Sequence, residues 1–320
     1  MDRAVDAIYT WVDGWDPAHR AKRAQYRPLL AGRKEDRARW RNNDELRYSL
    51  RSLHLHAPWL RKIYIVTDEQ VPSWLDTAHP QIEIVDHTAI FPDHRFLPTF
   101  NSCAIEAFLH RIPGLSSHYL YLNDDFFVGR DIDLSDLMTA AGCQILHIEA
   151  SPLPPLKHLA WPRPNPHSRL LAYCRLLLRC SLGPGATLFR VPHAPQFFAK
   201  ADAEAVAERF ARPIAWGLKK RFRSWRMPLF RELYVNTLLS TGGAEPRAVG
   251  RMMAPGDYQF IMLNDDGGGE RGLLEMMANP HKFIGINDDR RNPASQPKLA
   301  VVLALALKRC FPQPSPFERG

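Results

Sequence analysis

Short apolar runs alternate with longer amphipathic stretches through the first 125 residues, and several of the apolar runs end at an acidic residue. Apolar runs bounded by turn residues predict β-strands at 4–12, 62–67, 82–85 and 118–122. Apolar positions three and four residues apart predict a helix at 43–56, with Asn43 or Asp44 as N-cap, and another at 100–111. Alternating strands and helices are typical of an α/β fold, so we expect a Rossmann-like core with a mostly parallel sheet.

The pattern changes after residue 150. Residues 151–166 are rich in proline and predict little regular structure. Helical patterns then return at 200–210 and 227–240, and strand patterns at 258–263 and 282–286. The apolar run at 299–307 is shorter than the roughly 20 residues that span a bilayer. We expect it to form a core helix, with an interfacial helix as the alternative.

The composition is that of an ordinary globular chain, with 320 residues of which 45% are hydrophobic and 24% charged. The formal net charge is +8, and basic runs lie at 20–41 and 219–226. Such runs favour anionic partners, including an anionic membrane surface, or are simply solvated. No nucleic-acid-binding motif is visible, so we expect no nucleic-acid partner. Five cysteines without a CxxC pair argue against a disulfide framework or a structural zinc site.

Acidic residues follow four of the predicted strands, where a parallel sheet binds its ligands. They are Asp13, Asp68, Asp86 and the pair Asp124-Asp125. The tripeptide Asn-Asp-Asp also recurs after strand-like runs at 123–125, 264–266 and 287–289. Adjacent carboxylates at a strand end suit Mg²⁺ or Mn²⁺, which would neutralise a diphosphate. The alternative is a capped turn, which we favour for Asp68 and Asp86.

Two basic residues have the chemistry of phosphoryl transfer. His193 lies between Pro192 and Pro195, which restrict its backbone, and a rigidly held histidine can act as a general base. Arg223, in the run KKRFRSWR, can stabilise negative charge on phosphoryl oxygens. Each residue also has an ordinary interpretation, His193 as a surface or core histidine and Arg223 as part of a solvated basic run.

Polar residues at two predicted helix starts are further candidates. Asn43 and Asp44, with Arg47, open the first helix and could contact substrate or act only as caps. Asn101 and Ser102 open the helix at 100–111, whose Glu106 and His110 form an i,i+4 pair on one face. That face could contact substrate or simply be a helix surface.

Taken together, these motifs resemble the Stealth family, which includes bacterial capsule and exopolysaccharide phosphotransferases and the catalytic subunit of the lysosomal-enzyme GlcNAc-1-phosphotransferase. The resemblance is carried by AIYTWVDGWDP, RNNDELRYSLRSL, LPTFNSCAIEAFLH, HYLYLNDDFFVG, HAPQFF with RFRS, and KFIGINDD, in this order along nearly the whole chain. The cluster at 264–266 matches no family motif, and we leave it out of the site.

The resemblance implies roles for particular residues. The implied catalytic residues are Asp125, His193 and Arg223, with the choice of general base between Asp125 and His193 open. The implied metal ligands are Asp124, Asp125 and Asp288, holding Mg²⁺ or Mn²⁺. The expected substrate contacts are Asp13, Asn43, Asp44, Arg47, Asn101, Ser102, Asn123 and Asn287.

The resemblance also implies an activity and an organisation. We expect a Rossmann-like nucleotide-sugar-binding core plus C-terminal helical elements. Residues 1–150 would form the N-terminal part of the catalytic α/β domain, 151–190 a proline-rich insertion or lid, and 191–320 the C-terminal part of the same catalytic unit.

The expected reaction moves a hexose-1-phosphate, GlcNAc-1-phosphate or similar, from a UDP-sugar to a hydroxyl of a polysaccharide or oligosaccharide and releases UMP. The alternatives are a metal-dependent glycosyltransferase that releases UDP and a non-enzymatic glycan- or nucleotide-binding protein. No secretory signal is visible. We therefore expect a cytoplasmic enzyme, with peripheral association at the inner face of the membrane as an option.

Overall fold

A computed structural model describes residues 4–27, 40–160, 166–249, 257–264, 267–289 and 296–319. Its strands are β1 Val5–Thr10, β2 Ile63–Thr67, β3 Ile82–Asp86, β4 His118–Asn123, β5 Phe126–Val128, β6 Gln144–Pro152, β7 Phe189–Arg190, β8 Gln196–Ala199, β9 Ala244–Val249, β10 Tyr258–Leu263 and β11 Phe283–Asp288. Its helices are α1 Pro17–Tyr26, α2 Glu45–His56, α3 His87–Ile90, α4 Ser102–Glu106, α5 Leu134–Leu137, α6 Pro166–Leu182, α7 Lys200–Arg209, α8 Ala211–Leu218, α9 Phe230–Thr241, α10 Gly268–Ala278 and α11 Gln296–Cys310.

The main sheet has the strand order β3-β2-β1-β4-β8. The first four strands are parallel and β8 runs antiparallel to β4. All five residues of β2 are buried, as expected for a parallel strand covered on both faces. The structure confirms the predicted α/β fold and the six predicted strands. Because the order reverses between β1 and β4, ligands are expected in the crevice at the carboxyl ends of these two strands.

A small sheet of order β10-β11-β5 joins the main sheet at this crevice. Its strand β5 follows β4 after a turn of two residues, Asp124 and Asp125. β5 pairs antiparallel with β11, which places Gly285 opposite Phe126. The chain therefore passes from one sheet to the other at the acidic pair that the sequence singles out.

Helix α2 packs its apolar face, including Leu46 and Leu50, into the core beneath the main sheet. Two buried hydroxyls tie it to neighbouring strands: Ser49 Oγ lies 2.8 Å from the Tyr9 hydroxyl and Ser52 Oγ accepts from Val128 N at 3.0 Å. Asp44 occupies the N-cap position, as predicted, but it does so with a φ of 67° and its side chain makes no capping hydrogen bond.

The single helix predicted at 100–111 is also wrong in part. The structure has the short helix α4 and, after an interruption at Ala107 and Phe108, a 3₁₀ turn at Leu109–Arg111. Phe108 leaves helical geometry with φ −122° and ψ 5°. Its ring packs against Phe91 at 5.1 Å, so tertiary packing outweighs local helical spacing there.

The segment 151–190 contains more regular structure than its prolines predict. β6 continues to Pro152, a 3₁₀ turn covers Leu156–Leu159, and α6 begins at Pro166, while residues 161–165 lie outside the described part of the chain. Leu170, Leu171 and Leu178 of α6 are buried in the largest hydrophobic cluster. The helix is thus part of the core, and the role of 151–190 as an insertion or lid stays a prediction.

The apolar run at 299–307 forms most of α11, which confirms the predicted helix. Leu303 and Leu307 are fully buried, whereas Val301 and Leu305 on the other face are exposed. Within the described ranges, no helix is long and apolar enough to cross a membrane.

Candidate active site

The site is built around the turn that joins β4 to β5. Asn123, at the end of β4, accepts a hydrogen bond from the Tyr121 hydroxyl at 2.7 Å and another from Thr10 Oγ1 at 3.4 Å. Thr10 is also the parallel-strand partner of Asn123. These bonds fix the carboxyl ends of β1 and β4 to each other and so set the position of the two aspartates that follow.

Asp124, Asp125 and Glu45 form an acidic group at this turn. The pKa of the Asp124 carboxyl is raised well above its usual value, first by its removal from bulk water and then by the charges of Asp125 and Glu45. Part of the Asp124 surface stays accessible, as expected at the wall of a crevice. Burial also raises the pKa of Glu45, although the Asn43 side chain and backbone both donate hydrogen bonds to it. Negative charge is therefore concentrated here.

The two oxygens of Asp125 have different surroundings. Oδ2 lies 3.1 Å from His193 Nε2. Oδ1 is buried and has no hydrogen-bond partner among the described residues. An orphaned carboxylate oxygen beside a second carboxylate suits a divalent cation, because Mg²⁺ often takes one or two protein carboxylates and completes its shell with substrate phosphates and water.

His193 is held from several sides. Its ring meets Phe126 edge to face at 4.6 Å, and its backbone carbonyl lies 3.4 Å from the Tyr258 hydroxyl. A Cβ on Gly285 would lie 1.9 Å from the His193 carbonyl oxygen. Only glycine therefore allows β11 to approach so closely, and this contact fixes the distance from His193 to the β4–β5 turn.

Arg223 enters the site through a second long-range contact. Its guanidinium donates to Ser102 Oγ at 2.6 Å, across 121 residues of sequence. The contact is supported next to it by Phe100 and Phe222, whose rings stack at 5.0 Å. Asn101 is fully buried, and neither atom of its side-chain amide has a hydrogen-bond partner in the described part of the chain.

His167, at the start of α6, connects the Arg223 side of the site with His193. The residue is exposed, yet its pKa is lowered to about 4, first by desolvation and then by the charges of Arg231, Arg190, Arg223 and His193. Arginine side chains from three other segments are therefore close enough to act on His167. An anionic ligand would find attractive charge there.

Several expected site residues are engaged by protein partners instead. Arg41 Nη1 donates to both carboxylate oxygens of Asp288 at 2.8 Å, which leaves Asp288 apart from the acidic group. Arg47 donates to Glu318 at 2.6 Å and lies 3.5 Å from Asp44. Roles for Arg47 and Asp288 in binding would thus require these ion pairs to exchange.

Asp13 and Asn287 also have local partners. The Asp13 carboxylate accepts from Trp15 N at 2.9 Å, and the Asp13 backbone is bonded to the Gln70 side chain. The Asn287 amide lies 3.1 Å from Met262 Sδ. Asp265 and Asp266 lie outside the described residues. Among the residues that are described, no group of three His, Cys, Asp or Glu side chains could hold a metal by itself.

The structure adds polar residues that the motifs did not single out. Gln196, the strand partner of Tyr121, is buried with both amide atoms lacking hydrogen-bond partners within the described ranges. Arg231 is buried too, and its Nε and Nη1 atoms lack partners there. A signal was present, because Arg231 lies inside the run LFRELYV and Gln196 directly precedes the apolar pair Phe197-Phe198. Such buried, unpaired groups are often found where a ligand or ordered water completes the bonding.

Comparison with known proteins identifies three stretches of the chain with one family. Residues 3–31 match Stealth protein conserved region 1, residues 39–146 match conserved region 2, and residues 275–320 match conserved region 4. Asp124 and Asp125 fall within the second stretch. His193 and Arg223 fall between the second and third stretches.

Several curated relatives align along nearly the whole chain. Two exopolysaccharide phosphotransferases of Streptomyces coelicolor are each 36% identical to it, over 98% and 99% of this chain and 52% of their own length. The exopolysaccharide phosphotransferase CpsY of Mycobacterium tuberculosis is 48% identical over 140 residues, which is 43% of this chain and 26% of CpsY. The chain thus spans about half the length of the first two relatives.

Solved structures show a more distant likeness. The galactosyltransferase LgtC in complex with donor and acceptor sugar analogues is 11% identical, covers 94% of this chain and 95% of its own, and has a TM-score of 0.44. The bifunctional glycosyltransferase WbbM is 13% identical over 89% of this chain and 46% of its own, also with a TM-score of 0.44. These likenesses are too distant to bear on the chemistry of the site.

Proposed function

The chain belongs to the Stealth protein family, and from this premise we propose that it is a sugar-1-phosphate transferase. It takes a hexose-1-phosphate, such as GlcNAc-1-phosphate, from a UDP-sugar and attaches it to a hydroxyl of an exopolysaccharide or capsular polysaccharide. The names of its relatives support the class of reaction. Because the chain spans about half of those relatives, the donor and acceptor are part of the proposal.

The observation that carries the proposal is the contact between His193 and Asp125 at the β4–β5 turn. The acceptor hydroxyl attacks the phosphorus that bears the sugar. A new P–O bond forms, and the bridging P–O bond of the diphosphate breaks, so that UMP leaves with the bridging oxygen. The sugar keeps its anomeric bond throughout.

His193 is the proposed general base. If its Nε2–H donates to Asp125 Oδ2, the other ring nitrogen carries the lone pair that accepts the proton of the acceptor hydroxyl. Asp125 then fixes the tautomer and stabilises the imidazolium that forms, as a carboxylate does beside a catalytic histidine. Phe126 limits rotation of the ring.

Arg223 is proposed to stabilise the charge that develops on the phosphoryl oxygens. Its contact with Ser102 positions the guanidinium, and Asn101 beside it offers buried amide groups for the donor. Asn123 and Asp13 lie at the carboxyl ends of β4 and β1, where the nucleotide of an α/β enzyme is expected.

Asp124 and Asp125 would hold the divalent cation, Mg²⁺ or Mn²⁺, with Glu45 beside them. When bound, such a cation neutralises the diphosphate and the leaving phosphate. Asp288 could join only after release from Arg41, so we place it second to the other two.

The nucleotide product tests the proposal directly. The protein would be incubated with a UDP-sugar and an oligosaccharide acceptor, the nucleotide separated by chromatography and the glycan examined by ³¹P NMR. We expect UMP and a phosphodiester signal, and both should form far more slowly with Asp125→Asn. Release of UDP with a phosphorus-free product would establish the glycosyltransferase alternative, and binding without turnover would establish the non-enzymatic one.

The location of the protein belongs to the same proposal. Nucleotide-sugar donors point to a cytoplasmic enzyme, and the basic run at 219–226 supports peripheral contact with an anionic membrane surface as an option. Fractionation of cells tests both, because an electrostatically held protein is released by salt. Recovery only with detergent would contradict the peripheral option.

A further inference from the structure

Aromatic and arginine side chains meet on the surface beside the candidate active site. The Arg226 guanidinium lies over two indole rings, 4.9 Å from the centroid of Trp216 and 5.0 Å from that of Trp225. Arg169 of α6 lies 4.2 Å from the Trp225 ring, and Tyr173 meets that ring edge to face at 5.7 Å. We refer to these five residues as the arginine–tryptophan surface.

Trp216 is the part of this surface that is free to meet a partner. It lies on α8 and is 52% exposed. The helix is held rigidly against the segment that carries Arg226, because a Cβ on Gly217 would lie 2.8 Å from Met227 Cα. The indole of Trp216 and the guanidinium of Arg226 therefore keep a fixed relative position, which lowers the entropy cost of binding.

The two segments that carry this surface contain charge of one sign only. Residues 166–182 and 211–226 contain no Asp or Glu, whereas they contain nine Lys or Arg. No ion pair between described residues involves any of these nine basic side chains. The surface thus presents uncompensated positive charge, which fits an anionic partner.

Two segments carry residues both of this surface and of the candidate active site. Arg223, whose guanidinium reaches Ser102, is two residues before Trp225. His167, on which the charges of Arg223 and His193 act, lies on α6 two residues before Arg169. A long ligand with its end at His193 could therefore extend over α6 and Trp225 towards Trp216.

We propose that the arginine–tryptophan surface binds the acceptor glycan beyond the sugar that reacts, and that it selects a chain already carrying phosphodiester groups. This inference rests on the proposed function, because each transferred hexose-1-phosphate adds one negative charge to the acceptor of a later turnover. Sugar rings stack on an exposed indole, and guanidinium groups pair with phosphodiester oxygens.

The same features argue against insertion of this surface into a membrane, and electrostatic contact of residues 219–226 with a membrane is the competing outcome of the test. A helix that lies in a membrane interface needs an extended apolar face. Within the described residues of 166–226, Trp216 is the only large hydrophobic side chain that is exposed. One exposed indole beside Arg226 is better suited to stacking on a sugar than to insertion among lipid chains.

Acceptor-length kinetics test the proposal. The kcat/KM would be measured with a short neutral acceptor and with a longer one that contains phosphodiester linkages, for the full chain and for Trp216→Ala and Arg226→Gln. We expect the preference for the long acceptor to fall about tenfold in each variant, through KM, since one stacking or cation contact is typically worth a factor of this size. Added salt should reduce the wild-type preference more than that of Arg226→Gln.

Two variants on α11 serve as matched controls. Leu305→Ala removes an exposed apolar side chain and Arg309→Gln an exposed cation, both on a helix that packs on α10 and α2. Both should keep the wild-type preference. Thermal melts of all variants show whether any loss reflects misfolding, and calorimetric binding of the long oligosaccharide without donor gives a readout that needs no turnover.

The outcomes separate this proposal from the proposed function. If wild type releases UMP with the short acceptor but Trp216→Ala and Arg226→Gln leave the preference for the long acceptor unchanged, the surface does not bind the glycan while the phosphotransferase reading stands. If the variants lose binding to vesicles of anionic phospholipid and keep binding to the oligosaccharide, the surface is a membrane contact and the proposal is wrong. Absence of UMP would count against the proposed function, and the calorimetric binding of the long oligosaccharide would then test the surface by itself.

Discussion

His193 Nε2 lies 3.1 Å from Asp125 Oδ2, although 68 residues separate the two in sequence. Asp125 is fixed by the turn between β4 and β5, where its carbonyl accepts from Ile286 N of β11 at 3.0 Å. His193 reaches it because the chain that leads into β8 crosses the face of β11 at Gly285. The positions of His193 and Asp125 are therefore set by backbone contacts at the junction of two sheets.

The first prediction concerns this pair. His193→Ala should lower kcat about 10²–10⁴-fold, the usual contribution of a general base. Asp125→Asn should cost a comparable factor, because it disturbs both the imidazole and the expected cation site. The measurement is initial rate at saturating donor, with a thermal melt of each variant. His94→Ala, which changes an exposed histidine elsewhere, is the control. Near-normal kcat in His193→Ala would assign the base to another residue.

Much of this fold could be predicted from the sequence. The strand segments at 62–67 and 118–122 are short apolar runs bounded by turn residues, and the structure confirms both within a residue. Their parallel pairing on either side of β1 follows from the alternation with helices. The local pattern is sufficient here, because a run that is apolar at every position is stable only in a strand with both faces buried.

The rest depends on contacts between distant parts of the chain. Nothing local distinguishes Asp288, which Arg41 holds, from Asp125, whose Oδ1 has no hydrogen-bond partner in the described part of the chain. The leucines of helix α6 have helical spacing, but the prolines that precede the helix favour irregular structure in the sequence pattern. The sequence does not mark Arg231 and Gln196 as site residues, because the burial of a polar residue beside apolar ones depends on the elements that pack against it.

The second prediction concerns the glycine beneath His193. Gly285→Ala should force β11 or the His193 segment to move, because the added Cβ would lie 1.9 Å from the His193 carbonyl oxygen. Overpacking of this kind costs about 1–3 kcal/mol in stability, and displacement of His193 should also lower kcat. Chemical denaturation and kinetics measure the two effects.

A matched glycine is the control for that substitution. A Cβ on Gly243 would meet nothing closer than 3.6 Å, so Gly243→Ala should change stability by less than about 0.5 kcal/mol. If Gly285→Ala behaved like Gly243→Ala, the close approach of β11 would not determine the position of His193.

The third prediction concerns Glu318. Its side chain accepts from Arg47 and Arg51 at 2.6 Å and from Ser315 N at 2.9 Å. Burial alone would raise the pKa of the Glu318 carboxyl, but these bonds lower this pKa from 4.5 to about 2. A depressed carboxyl pKa stabilises the folded state above the unfolded pKa, and this contribution is lost as pH falls towards the folded value.

Glu318→Gln should therefore destabilise the protein at pH 7 by about 1–3 kcal/mol, the range expected after partial screening by solvent. The difference from wild type should shrink to less than about half by pH 3. Unfolding curves at the two pH values measure this, with Glu69→Gln, whose side chain is 74% exposed, as the control. An equal difference at both pH values would show that the ionised carboxylate is not the source.

The last prediction concerns the cation and the proton on the acidic group. Because the pKa of Asp124 is raised by burial and by the charges of Asp125 and Glu45, a cation bound there must displace a proton wherever the carboxyl is still protonated. Binding of Mg²⁺ or Mn²⁺ should thus release up to about one proton and strengthen as pH rises, until Asp124 is ionised. Calorimetry in buffers of different ionisation enthalpy measures the proton. Asp124→Asn should abolish the release, whereas Asp131→Asn, at a side chain that is 92% exposed, should not.

Chelation should stop turnover, and restored Mg²⁺ or Mn²⁺ should recover it. Full activity after chelation, with no calorimetric binding, would show that Asp124 and Asp125 do not hold a cation. The close approach of these carboxylates would then be explained by a shared proton alone.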